Sequence, residues 1–412
     1  MKTNNVIVAL DVGTSKTVAL VGDVDELGDL TIIGYGEAQT KGIDKGLISN
    51  PNDVIRSIKE AVIQASNSSG VKVSSVIANL GGFHIEFRNE ADFLSFGSAQ
   101  KDITDFDIST LSQKVKDKIE EDQHKLIHII PKRFILDDEN EVVEPVNCLA
   151  SKLEGEFHII LTKLNTYSNL KRVIEMAGVK VADFVVNAVA SATSTIFDEE
   201  KEMGVLLIDI GGGTTDYTVI GPNSYEYTAS LPLGGNNITL DISHRFKIPK
   251  KDAEKIKLEY GLATLEALEN EKEIEVYPIG SEQPIYISHY ELVDTIEARL
   301  EQIFTLVRED LEKAQVFEKI NGGVVLTGGV ANTPYIKDLA YNIFKTDVRI
   351  GRPTNYKGFS DKLNLPQYAT AVGIMLFKKN SFKHTEIDIM ENTGSDFVSI
   401  FKKFLDKIKS IF

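Results

Sequence analysis

Two short stretches of this sequence join an acidic residue to a glycine-rich turn. Asp11-Val-Gly13-Thr14-Ser15-Lys16 follows the apolar run Val6-Ile-Val-Ala-Leu10, and Asp209-Ile-Gly211-Gly212-Gly213-Thr214 follows Val205-Leu-Leu-Ile208. Glycine has no Cβ, so backbone N–H groups come close to an anion there, and the Thr and Ser hydroxyls add donors. A carboxylate beside such a turn repels phosphate directly but holds a hydrated Mg²⁺ that neutralises it. Either copy alone reads equally well as an ordinary tight turn. Two copies, one in each half of the chain, describe a cleft that grips a Mg-nucleotide between two hairpins, with Asp11 and Asp209 toward the metal. A third stretch, Gly322-Gly-Val-Val-Leu-Thr-Gly328-Gly329-Val-Ala-Asn332, is a buried strand running into paired glycines, where backbone packs against a flat base. Lys16 is a phosphate candidate of lower rank than the glycines. Neither G-x-x-x-x-G-K-[ST] nor G-x-G-x-x-G occurs, which excludes a P-loop and a standard dinucleotide fingerprint.

These turns need strands to carry them. The runs 6–10 and 17–22 read as strand, turn, strand, and the region 205–220 repeats the pattern. Helices are expected at 51–67 after an Asn50 cap, at 166–177 ending at Gly178, and at 188–197. Alternating strands and helices imply an α/β architecture built from two similar halves. Residues 84–163 interrupt the first half with a helix at 108–123 and strands at 127–130 and 157–161. A second interruption is expected at 250–313, with 250–275 largely helical and a long helix at 290–313. From 378 to 394 the sequence turns polar and irregular, as a tether does.

Composition bounds the function. At roughly 150 residues per domain, 412 residues make two or three folded units. Hydrophobic residues at 42% and charged residues at 26% are ordinary for a globular protein. The 45 Lys and Arg against 61 Asp and Glu give a net charge of −16, which argues against nucleic acid as the main partner. Seven His and the single Cys148 form no CxxC or HExxH, so a reduced, cytoplasmic setting fits, with Cys148 a buried structural thiol. The longest apolar run, 371–377, falls far below the roughly 20 residues that span a bilayer.

In their order, the three glycine motifs resemble those of the actin-like ATPase superfamily, in which the hairpins bind phosphates and the Leu-Thr-Gly-Gly element borders adenosine. That likeness implies ATP and Mg²⁺ as ligands. Ala253-Glu-Lys-Ile-Lys-Leu-Glu-Tyr-Gly261 resembles the superfamily helix that contacts ribose and base, which points to Glu254 and Lys257.

Within that superfamily the sequence is similar to the FtsA family of bacterial cell-division proteins over essentially the whole chain. The likeness rests on Leu126-Ile-His-Ile-Ile-Pro-Lys-Arg-Phe-Ile-Leu-Asp137, Val143-Glu-Pro-Val146, Phe157-His-Ile-Ile-Leu161, Val348-Arg-Ile-Gly-Arg-Pro353 and Gln367-Tyr-Ala-Thr-Ala-Val-Gly373. It implies a two-lobed fold of duplicated ribonuclease-H-like halves. Subdomain IA would be 1–83 with 164–197, the inserted subdomain IC 84–163, subdomain IIA 198–245 with 321–377, and subdomain IIB 246–320. A linker at 378–394 and an amphipathic helix at 395–412 would follow. The family polymerises on the inner face of the membrane at the division site, binds the tail of the tubulin-like protein FtsZ and recruits later division proteins. By that resemblance Arg299 would meet the FtsZ tail. Related ATPases carry a water-orienting Glu where this chain has Ala188, which implies nucleotide binding with slow hydrolysis. A readily hydrolysing ATPase and a pilus-assembly adaptor are the alternatives on the same fold.

The last eighteen residues carry their own pattern. At about 100° per residue, Phe397, Val398, Ile400, Phe401, Phe404, Leu405, Ile408, Ile411 and Phe412 fall on one face, and Ser, Asp and Lys take the other. Four Lys against two Asp make this segment basic within an acidic chain. Such a helix lies in the plane of an anionic lipid surface.

Overall fold

The computed structural model of the chain describes residues 6–119, 123–222 and 224–382. Two five-stranded sheets form its frame, and both have the same connectivity. In the first, the order is Leu30–Gln39, Lys16–Val24, Val6–Val12, Ser75–Leu80, Lys180–Val186. In the second it is Tyr225–Leu231, Thr215–Ile220, Val205–Ile210, Val324–Thr327, Val348–Ile350. Each sheet starts as an antiparallel three-strand meander and continues with two parallel strands. The central strands are apolar runs because both their faces are covered; every residue of Val205–Ile210 is buried. The expected duplication of an α/β half is therefore present in the topology.

Helix Pro51–Ser69 packs on the first sheet. Asn50 caps its start, Pro51 fixes the first turn, and Gly70 ends it at φ 69°. In the second half, His289–Lys313 begins at a Ser288 cap and buries Leu292, Ile296, Leu300, Ile303, Val307 and Leu311 along one face, the stripe its periodicity predicts. Each half has its own apolar core.

The interruption of the first half is a four-stranded antiparallel sheet, ordered Asn140–Val142, His124–Leu136, Lys152–Lys163, Ile85–Ser95. Helix Asp105–Ile119 covers it around a separate core that includes Ile108, Leu111, Phe134 and Phe157. Strand His124–Leu136 is much longer than the expected 127–130. Pro131, which has no N–H to donate, is accommodated by a register shift opposite Glu156 and Phe157. This sheet leans on the second half. His158 Nδ1 lies 2.8 Å from Asn89 Oδ1 and Nε2 lies 3.0 Å from Thr228 Oγ1, and Lys132 bridges Glu156 at 3.2 Å and Glu226 at 3.1 Å.

Three local expectations change. The stretch 250–275 is α-helical over Lys250–Tyr260, with one 3-10 turn at Leu265–Ala267; Gly261 closes the α-helix, and Glu273–Val276 pairs with Ile285–Ser288 as a hairpin. The alternation Glu-Ile-Glu-Val, with Ile274 and Val276 buried, is a strand pattern that the surrounding charge obscured. The helix Ala369–Phe382 continues past Lys378 into the stretch expected to be a tether. Cys148 is half-buried, with its thiol 3.8 Å from the Glu144 carbonyl oxygen.

Between the sheets, Ala369–Phe382 crosses Asn187–Thr195. Their contact is backbone on backbone: a Cβ on Gly373 would lie 1.8 Å from the Ala190 carbonyl oxygen. No helix among the described residues is long and apolar enough to cross a membrane. The expected amphipathic helix at 395–412 lies outside the described residues.

Candidate functional site

A cleft of about 830 Å³ opens between the two halves. The first hairpin turn is closed by the Gly13 amide donating to the Lys16 carbonyl at 3.0 Å, the second by the Gly211 amide donating to the Thr214 carbonyl at 2.9 Å. These turns enter the cleft from opposite sides and touch. A Cβ on Gly212 would meet Ser15 Oγ at 2.1 Å, and one on Gly213 would meet Thr14 Oγ1 at 2.7 Å. Helix Gly235–Phe246 starts against the second turn, where its Gly235 and Asn236 amides donate to the carbonyls of Gly211 and Gly212 at 2.9 and 2.7 Å.

Asp11 and Asp209 both face this space. Asp209 is buried; its Oδ2 accepts from Ser191 Oγ at 2.6 Å and Thr370 Oγ1 at 3.1 Å. Burial pushes its carboxyl up to about 6, against those two hydroxyls. Asp11 is pushed up to about 7, first by burial and then by the charge of Asp209, with Lys16 opposing. Burial raises both carboxyls, Asp209 adds to the shift of Asp11 and Asp216 to that of Asp209, an environment that a divalent ion would relieve. Among the described residues no group of three or more His, Cys, Asp or Glu gathers to hold a metal. Two carboxylates do suit Mg²⁺, which keeps several waters and shares phosphate oxygens.

Gly328 follows Val324–Thr327 at φ 85°, and a Cβ there would lie 2.4 Å from Asp209 Oδ1 and 2.5 Å from the Ile210 carbonyl. Only glycine fits that position. Gly329 differs: the nearest atom to a Cβ there is Gln367 Cβ at 4.0 Å. Its missing side chain leaves open space in the cleft. Asn332 Nδ2 donates to the Gly329 carbonyl at 3.0 Å and to Gln367 Oε1 at 2.8 Å. On the facing helix, Lys257 Nζ lies 2.7 Å from Glu254 Oε2 and donates to Thr239 Oγ1 at 2.9 Å and to the Gly235 carbonyl at 3.2 Å.

Asp11, Gly13, Thr14, Ser15, Lys16, Asp209, Gly211, Gly212, Thr214, Glu254, Lys257, Gly328, Gly329 and Asn332 thus line one cavity, while Gly213 stands behind it against Thr14. Arg299 is elsewhere. Its guanidinium forks onto Asp241, with Nε to Oδ2 at 2.6 Å and Nη2 to Oδ1 at 2.8 Å, and also reaches Gln302. The membrane-facing candidates Phe397, Ile400, Phe401, Phe404, Leu405, Ile408, Ile411 and Phe412 lie outside the described residues.

The cleft holds polar residues that sequence reasoning missed. Asp216 accepts from Asn187 Nδ2 at 3.0 Å, Thr214 Oγ1 at 3.2 Å and the Gly82 amide at 3.3 Å. Asn187 in turn accepts from Asn79 Nδ2 at 3.1 Å, and Asn79 Oδ1 accepts the Val12 amide at 2.7 Å. This network ties the two halves together beside the hairpins. Hairpin register would have revealed Asp216, since it pairs directly with Asp209 across the turn. Ala188, next to Asn187, is buried and offers no polar group.

Comparison with known proteins adds identity to this geometry. Residues 206–373 match the family described as Cell division protein FtsA, and residues 82–161 match the SHS2 domain inserted in FtsA. Cell division protein FtsA of Borreliella burgdorferi is 34% identical over 384 residues, covering 93% of both chains. That of Escherichia coli K12 is 30% identical over 404 residues, covering 96% of both. Among solved structures, the PilM-PilN type IV pilus biogenesis complex superposes with a TM-score of 0.65 at 15% identity, covering 90% of this chain and 98% of that one. MreB 5 of Spiroplasma citri bound to AMPPNP gives 0.58 at 17%, covering 92% and 98%. These two share the actin-like fold. The chain belongs to the FtsA family of cell-division proteins.

Proposed function

We propose that this chain binds Mg-ATP between its two hairpins, assembles with copies of itself on the cytoplasmic face of the membrane at the division site, and anchors an FtsZ ring there for later division proteins to join. The observation that carries the ligand is the meeting of the hairpins at Ser15 and Gly212 beside two buried carboxylates whose pKa values are raised. A ligand touching both turns favours the closed arrangement of the lobes, so ATP acts here mainly as an assembly ligand. Mg²⁺ would sit toward Asp11 and Asp209 and supply neutralisation of phosphate charge. Ser191 and Thr370 fix the Asp209 carboxylate for that task. Glu254 and Lys257 would border the ribose, and Gly329 would leave room for the base.

Family membership supports the division role and the FtsZ tail as partner. The basic, phenylalanine-rich face at 395–412 supports anionic lipid as the surface bound. The proposed domain division is IA at 1–83 and 164–197, IC at 84–163, IIA at 198–245 and 321–377, and IIB at 246–320.

Co-sedimentation of the full chain with anionic liposomes, with and without Mg-ATP and an FtsZ tail peptide, tests the three parts together. The expected result is pelleting that carries the peptide along, is strengthened by ATP, and is lost on deleting 395–412 or on changing Phe401 and Phe404 to Glu. Pelleting that survives both changes would place the membrane tether elsewhere.

A further inference from the structure

Lys16 belongs to the cleft, yet its ammonium points away from the hairpin turn. It lies 3.5 Å from Glu37 Oε2 and 3.5 Å from the centre of the Tyr368 ring. The same Glu37 oxygen accepts the Tyr35 hydroxyl at 2.6 Å and the Tyr368 hydroxyl at 2.9 Å. Tyr368 is also hydrogen-bonded to Gln367, whose Oε1 holds Asn332. One chain of contacts therefore runs from the third glycine motif to the cation beside the first.

The three donors on Glu37 are unequal. Both phenols are buried and close, so they fix the carboxylate. Burial alone would lift its pKa, but the Tyr35 hydroxyl and Lys16 hold it below the usual range, and the carboxylate stays ionised. Lys16 is its farthest donor, at the limit of hydrogen-bond length. Burial pulls the ammonium's pKa down while Glu37 and Asp11 support its charge. A lysine is a compact point charge on a flexible stem, and this one can leave Glu37 while the two phenols keep the carboxylate satisfied.

We propose that Glu37 is a positioning residue that competes with nucleotide phosphate for Lys16 and thereby sets how tightly the cleft holds its ligand. This rests on the nucleotide reading of the cleft. With no anion present, Lys16 stays on Glu37 and Tyr368. A phosphate group in the cleft draws it over, and the ring of Tyr368 loses its cation. A triphosphate carries more negative charge than a diphosphate, so it competes better and the effect of Glu37 is larger for it.

The test is a double-mutant cycle on the full chain, with Mg-ATP and Mg-ADP affinities measured by calorimetry at two salt concentrations. Glu37→Gln keeps an oxygen acceptor for both phenols and is expected to fold normally. It should tighten ATP binding about three- to tenfold, and ADP binding less. Lys16→Met should weaken both, and in its background Glu37→Gln should have no further effect. The gain should shrink at the higher salt. Equal effects of Glu37→Gln with and without Lys16, or unchanged affinity in Lys16→Met, would overturn the proposal while leaving the nucleotide reading standing. If the wild-type protein binds neither nucleotide, the reading itself falls and this inference with it.

Discussion

Ser15 and Gly212 meet across the mouth of the cleft so closely that a β-carbon on Gly212 would lie 2.1 Å from the Ser15 hydroxyl oxygen. Contact between the two halves at this point depends on the absence of a side chain. Gly329 is the opposite case, since the protein leaves a β-carbon there 4.0 Å of clearance.

The two glycines therefore separate closure from ligand contact. Gly329→Val is expected to leave the melting temperature unchanged and to lower ATP affinity by more than about tenfold, because only the ligand needs the space. Gly212→Val should lower affinity as well, and should also spread the lobes in small-angle scattering without ATP. Normal affinity in a folded Gly329→Val protein would remove the base from that wall of the cleft.

Gly373→Ala tests the helix crossing. Alanine is the better helix former by about 1 kcal/mol. Here its methyl would fall 1.8 Å from the Ala190 carbonyl, and overpacking against fixed backbone costs about 1–3 kcal/mol or more. The clash wins, so thermal unfolding should show a lower midpoint.

His158 makes stability depend on acidity. Burial first, and then Lys132 and His128, push its pKa from 6.5 down to about 3, with Glu226 opposing. The unfolded chain binds a proton near pH 6.5 that the native imidazole refuses, so stability falls as pH drops from 6.5 toward 3. Between pH 6.5 and 5 the loss is about 2 kcal/mol. In denaturant titrations His158→Gln should show a smaller loss over that interval.

Arg299 is already engaged, which changes how its proposed role is tested. Arg299→Glu would set a second carboxylate against Asp241 and weaken the fold as well as any contact with an acidic peptide. Asp241→Asn releases the guanidinium instead. If Arg299 meets the FtsZ tail, Asp241→Asn should bind the peptide at least as tightly as wild type, while Arg299→Gln should bind it more weakly with ATP affinity unchanged.

Hydrolysis should be slow. Ala188 carries no group that orients water, and such a loss commonly costs on the order of 10² to 10⁴ in rate. Single-turnover phosphate release should lag far behind ATP binding. Sustained turnover of many ATP per second would assign the task to another residue, with Asp216 and Asn187 nearest at hand.

The hairpins and the third glycine motif were legible because an apolar run that stops at Asp-x-Gly is both a strand end and a turn. Asp216 was not read as part of the site, although register alone places it opposite Asp209. Glu37 stands 331 residues from Tyr368 and its neighbour Gln367, and they become one wall only through packing, so no local pattern announces them. The strand within 250–275 is hidden for a different reason. Its charge concealed the alternation at Glu273–Val276, and a short strand gives few residues from which to hear a period of two.

One carboxylate oxygen carries more than its electrostatic role implies. Asp209 Oδ2 accepts from Ser191 on one crossing helix and from Thr370 on the other, and those two hydroxyls lie 2.9 Å apart. Whatever tugs on this oxygen loads both arms of a lever at its fulcrum, close to Gly373. The longer arm runs on to Phe382. A displacement of this oxygen in the cleft thus bears on both helices at once, beside the point where their backbones already meet.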